Sequence, residues 1–316
     1  MEKSRLITEE LVKKIVRPRE AHLHKGDCGR VMICAGSVGM AGAAILASRG
    51  ALRSGAGLVR TAVPSELTTI LQVAVPEATC VDRAQLLANV ETPALAEYNA
   101  ICIGPGLGEE AESIAFIKAM LTSCGGVLIV DADALNIVAH NDMLGLLRDR
   151  AEHWPDTTVI TPHIGEARRL LTAAGMLGDA IDKSFDFSGA ASDKARLDIA
   201  AALVEATRAI VVLKGSGTIV AAAGCEPLIN TTGNPGMATG GSGDVLAGVI
   251  TGLAGQKRKS GNTRIGAYDA AIAGVYIHGM AGDIASAELG EYGLISGDLP
   301  LYVAHAIKKI TLQPHQ

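Results

Sequence analysis

Short apolar runs recur along the chain, and most are followed by a segment with helical spacing of its apolar positions. "VMICA" (31–35) precedes "GAAILASRGALRSG", and "LVRTAV" follows from Leu58. "AICIG" (100–104) precedes "ESIAFIKAML", and "VLIVDAD" begins at Val127. "TVITP" (158–162) precedes "GEARRLLTAAG", and "AIVVLKG" (209–215) follows a helical stretch over 193–207. Strands alternating with helices imply βαβ units and a mainly parallel sheet. The order changes after Lys214. "TIVAA" and "EPLIN" read as a hairpin around Gly224, and helices follow over 244–254, 265–286 and 299–310. No linker and no internal repeat interrupts the pattern. Segments 176–193 and 256–264 read as surface excursions. The expectation is one α/β domain over 1–316, three layers thick.

Composition narrows this. Hydrophobic residues make up 48% of 316 and aromatics only 3%, so the core must be built of Ala, Val, Leu and Ile, as in buried parallel sheets. A net charge of −5 gives no electrostatic footprint for nucleic acid. The short basic cluster at 257–259 reads as a solvated loop, with a phosphate patch as the weaker alternative. The six cysteines form no CxxC pair or zinc spacing. Cys34 and Cys102 lie in strand-like runs and read as buried thiols, which suits a reducing compartment. The N-terminal twenty residues mix charges with apolar positions and lack a signal-peptide core. No apolar run is long enough for a membrane span. Together these readings place the protein in the cytoplasm.

In open α/β sheets ligands bind beyond the carboxyl ends of the strands. Five strands here end in glycine-rich or polar motifs: "AGSVGMAGAA", "GPGLG" (104–108), "DADALN" (131–136), "TPHIGE" (161–166) and "KGSGT" (214–218). Each alone is turn chemistry; five on one edge point to a site. The glycines of "GSVGMAG" are spaced GxxGxxG, which does not match the dinucleotide fingerprint, and no GKS or GKT marks a P-loop. A further stretch, "NTTGNPGMATGGSGDVLAG" (230–248), places glycines and Asp244 at a predicted helix start. Backbone amides there make an anion site. Asp244 reads either as an N-cap or as a general base beside a phosphoryl group. A carboxylate repels a bound phosphate, so its presence favours a reaction in which a hydroxyl loses its proton and attacks phosphorus.

"GGSGDVLAG" after "NPGMATG" resembles the anion-hole signature of ribokinase-like kinases. "HKGDCGRVMICAGSVGMAGAAILASRGALRSGAGL", "GPGLG", "DADALN", "TPHIGE" and "VVLKGSGT" then follow the order expected of ADP-dependent NAD(P)H-hydrate dehydratases, over residues 20–310. The resemblance implies a ribokinase-like three-layer α/β/α sandwich with a mainly parallel central sheet. It also implies a lyase that repairs hydrated NADH and NADPH using ADP as phosphoryl donor and Mg²⁺, as a homotetramer. In many bacteria the domain is fused to an epimerase domain, for which this chain is too short. The resemblance assigns Ala43, Gly106, His163 and Asp244 to the hydrated substrate. It assigns Lys214, Gly215, Ser216, Gly217, Thr218 and Gly243 to the nucleotide. Gly241, Ser242 and Gly243 would form the anion hole, Asp244 would be the base, and no residue is assigned to metal.

Plainer roles stand beside these. Ala43 can pack a helix start, His163 can serve a turn, and Lys214 can extend from a strand end toward water. Asp131 and Asn136 can cap a helix or face substrate or a metal shell. Cys28 stands where the family has a bulkier residue, and Ile164 replaces a proline; neither removes a chemical group. A small-molecule kinase of the same fold (thiazole or hydroxymethylpyrimidine type) and a nucleotide-binding scaffold are the competing readings.

Overall fold

The computed structural model describes residues 5–89, 93–177, 186–187, 192–256 and 264–312. The basic cluster at 257–259 and most of the 176–193 excursion lie outside the described residues.

Ten strands form one sheet in the order β1-β10-β9-β8-β7-β6-β5-β2-β3-β4. They are β1 (Leu6–Ile7), β2 (Arg30–Cys34), β3 (Leu58–Val63), β4 (Thr79–Asp82) and β5 (Ala100–Ile103). The remainder are β6 (Val127–Val130), β7 (Thr158–Ile160), β8 (Ile210–Leu213), β9 (Ile219–Ala221) and β10 (Leu228–Asn230). Pairing is parallel except on the two sides of β9. The hairpin around Gly224 is therefore present, with Leu228 opposite Val220.

The helices are α1 (Glu9–Ile15), α2 (Ala41–Arg53), α3 (Thr68–Ala74), α4 (Arg83–Ala88), α5 (Ala111–Ser123) and α6 (Asp133–His140). After them come α7 (Leu144–His153), α8 (Ile164–Ala173), α9 (Asp193–Thr207), α10 (Ser242–Ala254), α11 (Ala267–Leu289) and α12 (Leu299–Thr311). Strand side chains alternate between two cores. Val31, Ile33 and Ile129 pack with α2, α10, α11 and α12, whereas Met32, Leu128 and Val130 pack with α5 to α9. This is the three-layer sandwich the pattern predicts, and burial on both faces explains why the central strands are apolar throughout.

On the first face α2 and α10 approach closely because small residues meet there. A methyl group on Gly248 would overlap the carbonyl of Ala47, and one on Gly50 would overlap that of Val245. This contact fixes two helix starts side by side at the carboxyl edge of the sheet. No helix among the described residues is long and apolar enough to cross a membrane.

Candidate active site

β8, β7, β6, β5 and β2 are adjacent and parallel, so their carboxyl ends present Lys214, His163, Asp131, Gly106 and Ala43 along one edge. The loops are tied to one another. The Gly36 N–H donates to the Pro105 carbonyl at 2.8 Å, and the Lys214 N–H to the Pro162 carbonyl at 2.8 Å. Ala43 and Gly106 meet: a Cβ on Gly106 would lie 2.8 Å from that of Ala43. Gly215 to Thr218 form the turn between β8 and β9, closed by the Thr218 hydroxyl donating to the Gly215 carbonyl at 2.9 Å.

The glycine-rich stretch delivers α10 to the same edge. Its N-cap is Gly241, at φ 91°, not Asp244. A side chain at Gly241 would meet Leu46 and Ser296, so only glycine takes this left-handed turn. No side chain caps the helix. Ser242 N–H reaches the Thr239 carbonyl at 3.3 Å, and the helical ladder begins with Val245 N–H on the Gly241 carbonyl at 3.2 Å. The amides of Gly243 and Asp244 stand ahead of that ladder, where an anion would bind. Asp244 lies in the first turn, so the N-cap alternative for it falls away.

Lys214 crosses to this helix start. A Cβ placed on Gly243 would lie 3.4 Å from the Lys214 ammonium. The same ammonium donates to Asp131 Oδ1 at 2.5 Å and stands 3.7 Å from Glu166 Oε2. It is thus a part-buried ion-pair partner and not a lysine extended to solvent. Asp131 is 1% exposed, and its Oδ2 is buried without a hydrogen-bond partner. Burial pushes the Asp244 carboxyl up to about 7; Asp131 adds to the rise and Lys214 opposes it. Burial works to lower the Lys214 ammonium, but Asp131 and Glu166 outweigh it and the net shift is upward. The arrangement is an anion-binding helix start, a cation beside it, and a carboxyl that changes charge near neutral pH.

His163 is the N-cap of α8 in a capping box. Its Nδ1 accepts from the Gly165 N–H at 2.9 Å and the Glu166 N–H at 3.3 Å. Glu166 Oε2 accepts from the His163 N–H at 2.7 Å. The other ring nitrogen faces Glu166 Oε1 at 3.3 Å. What the half-exposed ring offers a ligand is therefore its surface. Asn136 accepts from Arg169 Nε at 2.9 Å and faces α8. Neither Asp131 nor Asn136 caps a helix, because α6 begins on Ala132, whose φ of 50° is a left-handed value unfavourable for alanine. Such strain collects at functional sites.

Sequence reasoning did not foresee that Asp131, Glu166 and Lys214 converge, nor that buried His278 stands 3.4 Å from the Ser242 hydroxyl. Burial holds His278 down to about 4, so its imidazole is neutral at neutral pH. Among the described residues no three His, Cys, Asp or Glu side chains gather as a metal site. Asp131, the deepest of these carboxylates, carries Lys214 on its Oδ1.

A family model described as NAD(P)H-hydrate dehydratase matches residues 31–307. A bifunctional NAD(P)H-hydrate repair enzyme of Moorella thermoacetica is 39% identical over 97% of this chain and 54% of its own length. The chain spans about half the length of the curated relatives it matches. Among solved structures, a ribokinase-like superfamily protein of Enterococcus faecalis aligns with a TM-score of 0.78 at 26% identity, covering 97% of this chain and 96% of that one. An ADP/ATP-dependent NAD(P)H-hydrate dehydratase of Bacillus subtilis, co-crystallised with ATP and Mg²⁺, aligns with a TM-score of 0.74 at 26% identity, covering 98% and 100%.

Proposed function

Because this chain belongs to the NAD(P)H-hydrate dehydratase family, we propose that it converts the 6-hydroxylated forms of NADH and NADPH back to the parent dinucleotides, with ADP as phosphoryl donor. The observation that carries this reading is Asp244, half-buried at the uncapped start of α10, with the Lys214 ammonium over the same turn. In its ionised form Asp244 takes the proton of the ring C6 hydroxyl, and that oxygen attacks the β-phosphorus of ADP. The bond to the bridging oxygen breaks and AMP leaves. The amides of Gly243 and Asp244, which stand ahead of the helical ladder, stabilise charge on the transferring phosphoryl group. The ring nitrogen lone pair then expels phosphate from C6, and loss of a proton from C5 restores the ring double bond. The hydroxyl oxygen departs in the phosphate, so the net change is loss of water.

On this reading Ala43, Gly106 and the His163 ring line the nicotinamide end, and Lys214 to Thr218 with Gly243 hold the nucleotide. Mg²⁺ would be held by the nucleotide phosphates, and no step is assigned to it. The family also suggests one domain acting as a homotetramer in the cytoplasm. The test is to incubate the protein with hydrated NADH, Mg²⁺ and either ADP or ATP. Return of NADH absorbance with release of AMP or ADP is expected. If neither nucleotide restores absorbance while a hydroxylated thiazole or pyrimidine is phosphorylated, the chain is a kinase instead.

A further inference from the structure

Asp131 is an unusual neighbour for a nucleotide site. It is a buried carboxylate that would repel phosphate, and one of its oxygens has no partner. An unsatisfied buried acceptor destabilises a fold, and a buried ion pair seldom repays its own desolvation. Ala132 beside it is held at a positive φ. Stability accounts for none of these features. Its other oxygen, however, grips the Lys214 ammonium at 2.5 Å, and Glu166 flanks that ammonium at 3.7 Å. A four-carbon lysine stem has many rotamers, and the two carboxylates select the one that ends over Gly243.

We infer that Asp131 is a positioning residue: it anchors the Lys214 ammonium over the start of α10, where that cation meets the phosphates of the bound nucleotide. The inference rests on reading 214–218 as a nucleotide segment. The charged groups facing this point are Asp131 after β6, Asp133 on α6, Glu166 on α8, Lys214 after β8 and Asp244 on α10.

The sign of one substitution separates an anchor from a bystander. If Asp131 were only a negative charge near the phosphates, Asp131→Asn would tighten ADP binding. If it anchors Lys214, the same change weakens binding. Calorimetric titration of the full chain with ADP and Mg²⁺ should show Asp131→Asn weakened about tenfold. Lys214→Met should be weakened at least as much, and the double variant no further than Lys214→Met, because Asp131 acts through the lysine. Unchanged or tighter binding by Asp131→Asn overturns the proposal. So do losses that multiply in the double variant, and so does failure of the unaltered protein to bind ADP. Should Asp131→Asn fail to fold, the comparison of Lys214→Met with the double variant, which lacks both partners of the pair, still decides. Turnover is scored separately: an unaltered protein that binds ADP but never forms NADH would sink the dehydratase reading and leave the anchoring cycle intact.

Discussion

α8 and α10 both start at the carboxyl edge of the sheet, and both carry an acidic residue at their third helical position. Glu166 and Asp244 are nevertheless used in opposite ways. α8 is closed: Glu166 reaches back to the His163 N–H, and His163 takes two of the first amides. α10 is open: its N-cap is a glycine with no side chain to offer, and its acid reaches back to nothing. A capped helix start is a structural joint. An uncapped one at a sheet edge keeps its positive end for a ligand. Equivalent placement in the sequence thus leads to different chemistry, decided by what occupies the N-cap.

The strongest break of this contrast is Asp244→Asn. Loss of a general base should lower kcat by roughly a thousandfold, with ADP affinity nearly kept. A second readout is stability. The folded state holds the Asp244 proton up to about 7, against an ordinary aspartate value of 3.8. The native state therefore binds more protons than the unfolded one between those values, and stability falls as pH rises through that window. Asp244→Asn removes that fall, so its melting temperature at pH 8 should lie above that of the unaltered protein. Near-normal turnover in this variant would remove Asp244 from the base role.

Gly243→Ala closes the open start by one methyl group. Alanine favours the helix by up to about 1 kcal/mol, but the methyl would sit 3.4 Å from the Lys214 ammonium, where the phosphoryl group should lie. A stable variant with kcat/KM lowered about a hundredfold is expected. Unchanged kinetics would move the anion elsewhere.

The pH profile offers a subtler test. A base that must be ionised, held up to about 7 by burial and then by Asp131, gives a kcat that rises with pH through that value and levels above it. An acid limb near the usual carboxylate range would mean that another group accepts the proton.

Much of this contrast was legible in sequence. "GGSGD" and "TPHIGE" marked both helix starts, and the apolar runs gave the central strands. β1 and β4 were not foreseen. β1 is two residues in a charge-rich segment, and its partner strand β10 comes more than two hundred residues later. β4 is an edge strand, "TCVD", with no buried residue to give it a pattern. The buried network escaped for a related reason: Lys214 and Asp131 are 83 residues apart, and only the parallel register of β6, β7 and β8 brings them together. The N-cap reading of Asp244 failed because glycines at 240 and 241 hide which residue turns the chain, and the left-handed φ of Gly241 settles it.

The smallest effect probes the closed helix. His163 has two separable properties: a nitrogen that caps α8, and a half-exposed ring surface facing the edge. His163→Ala removes both. It should cost about 1 kcal/mol of stability for the lost cap, and it should raise the KM for hydrated NADH several-fold. His163→Asn restores a capping oxygen but not the ring, so the melting temperature should recover while KM stays high. Recovery of both would show that the residue serves substrate only by holding α8 in place. Recovery of stability alone would show that even the closed helix start lends a surface to the reaction, while keeping its amides for itself.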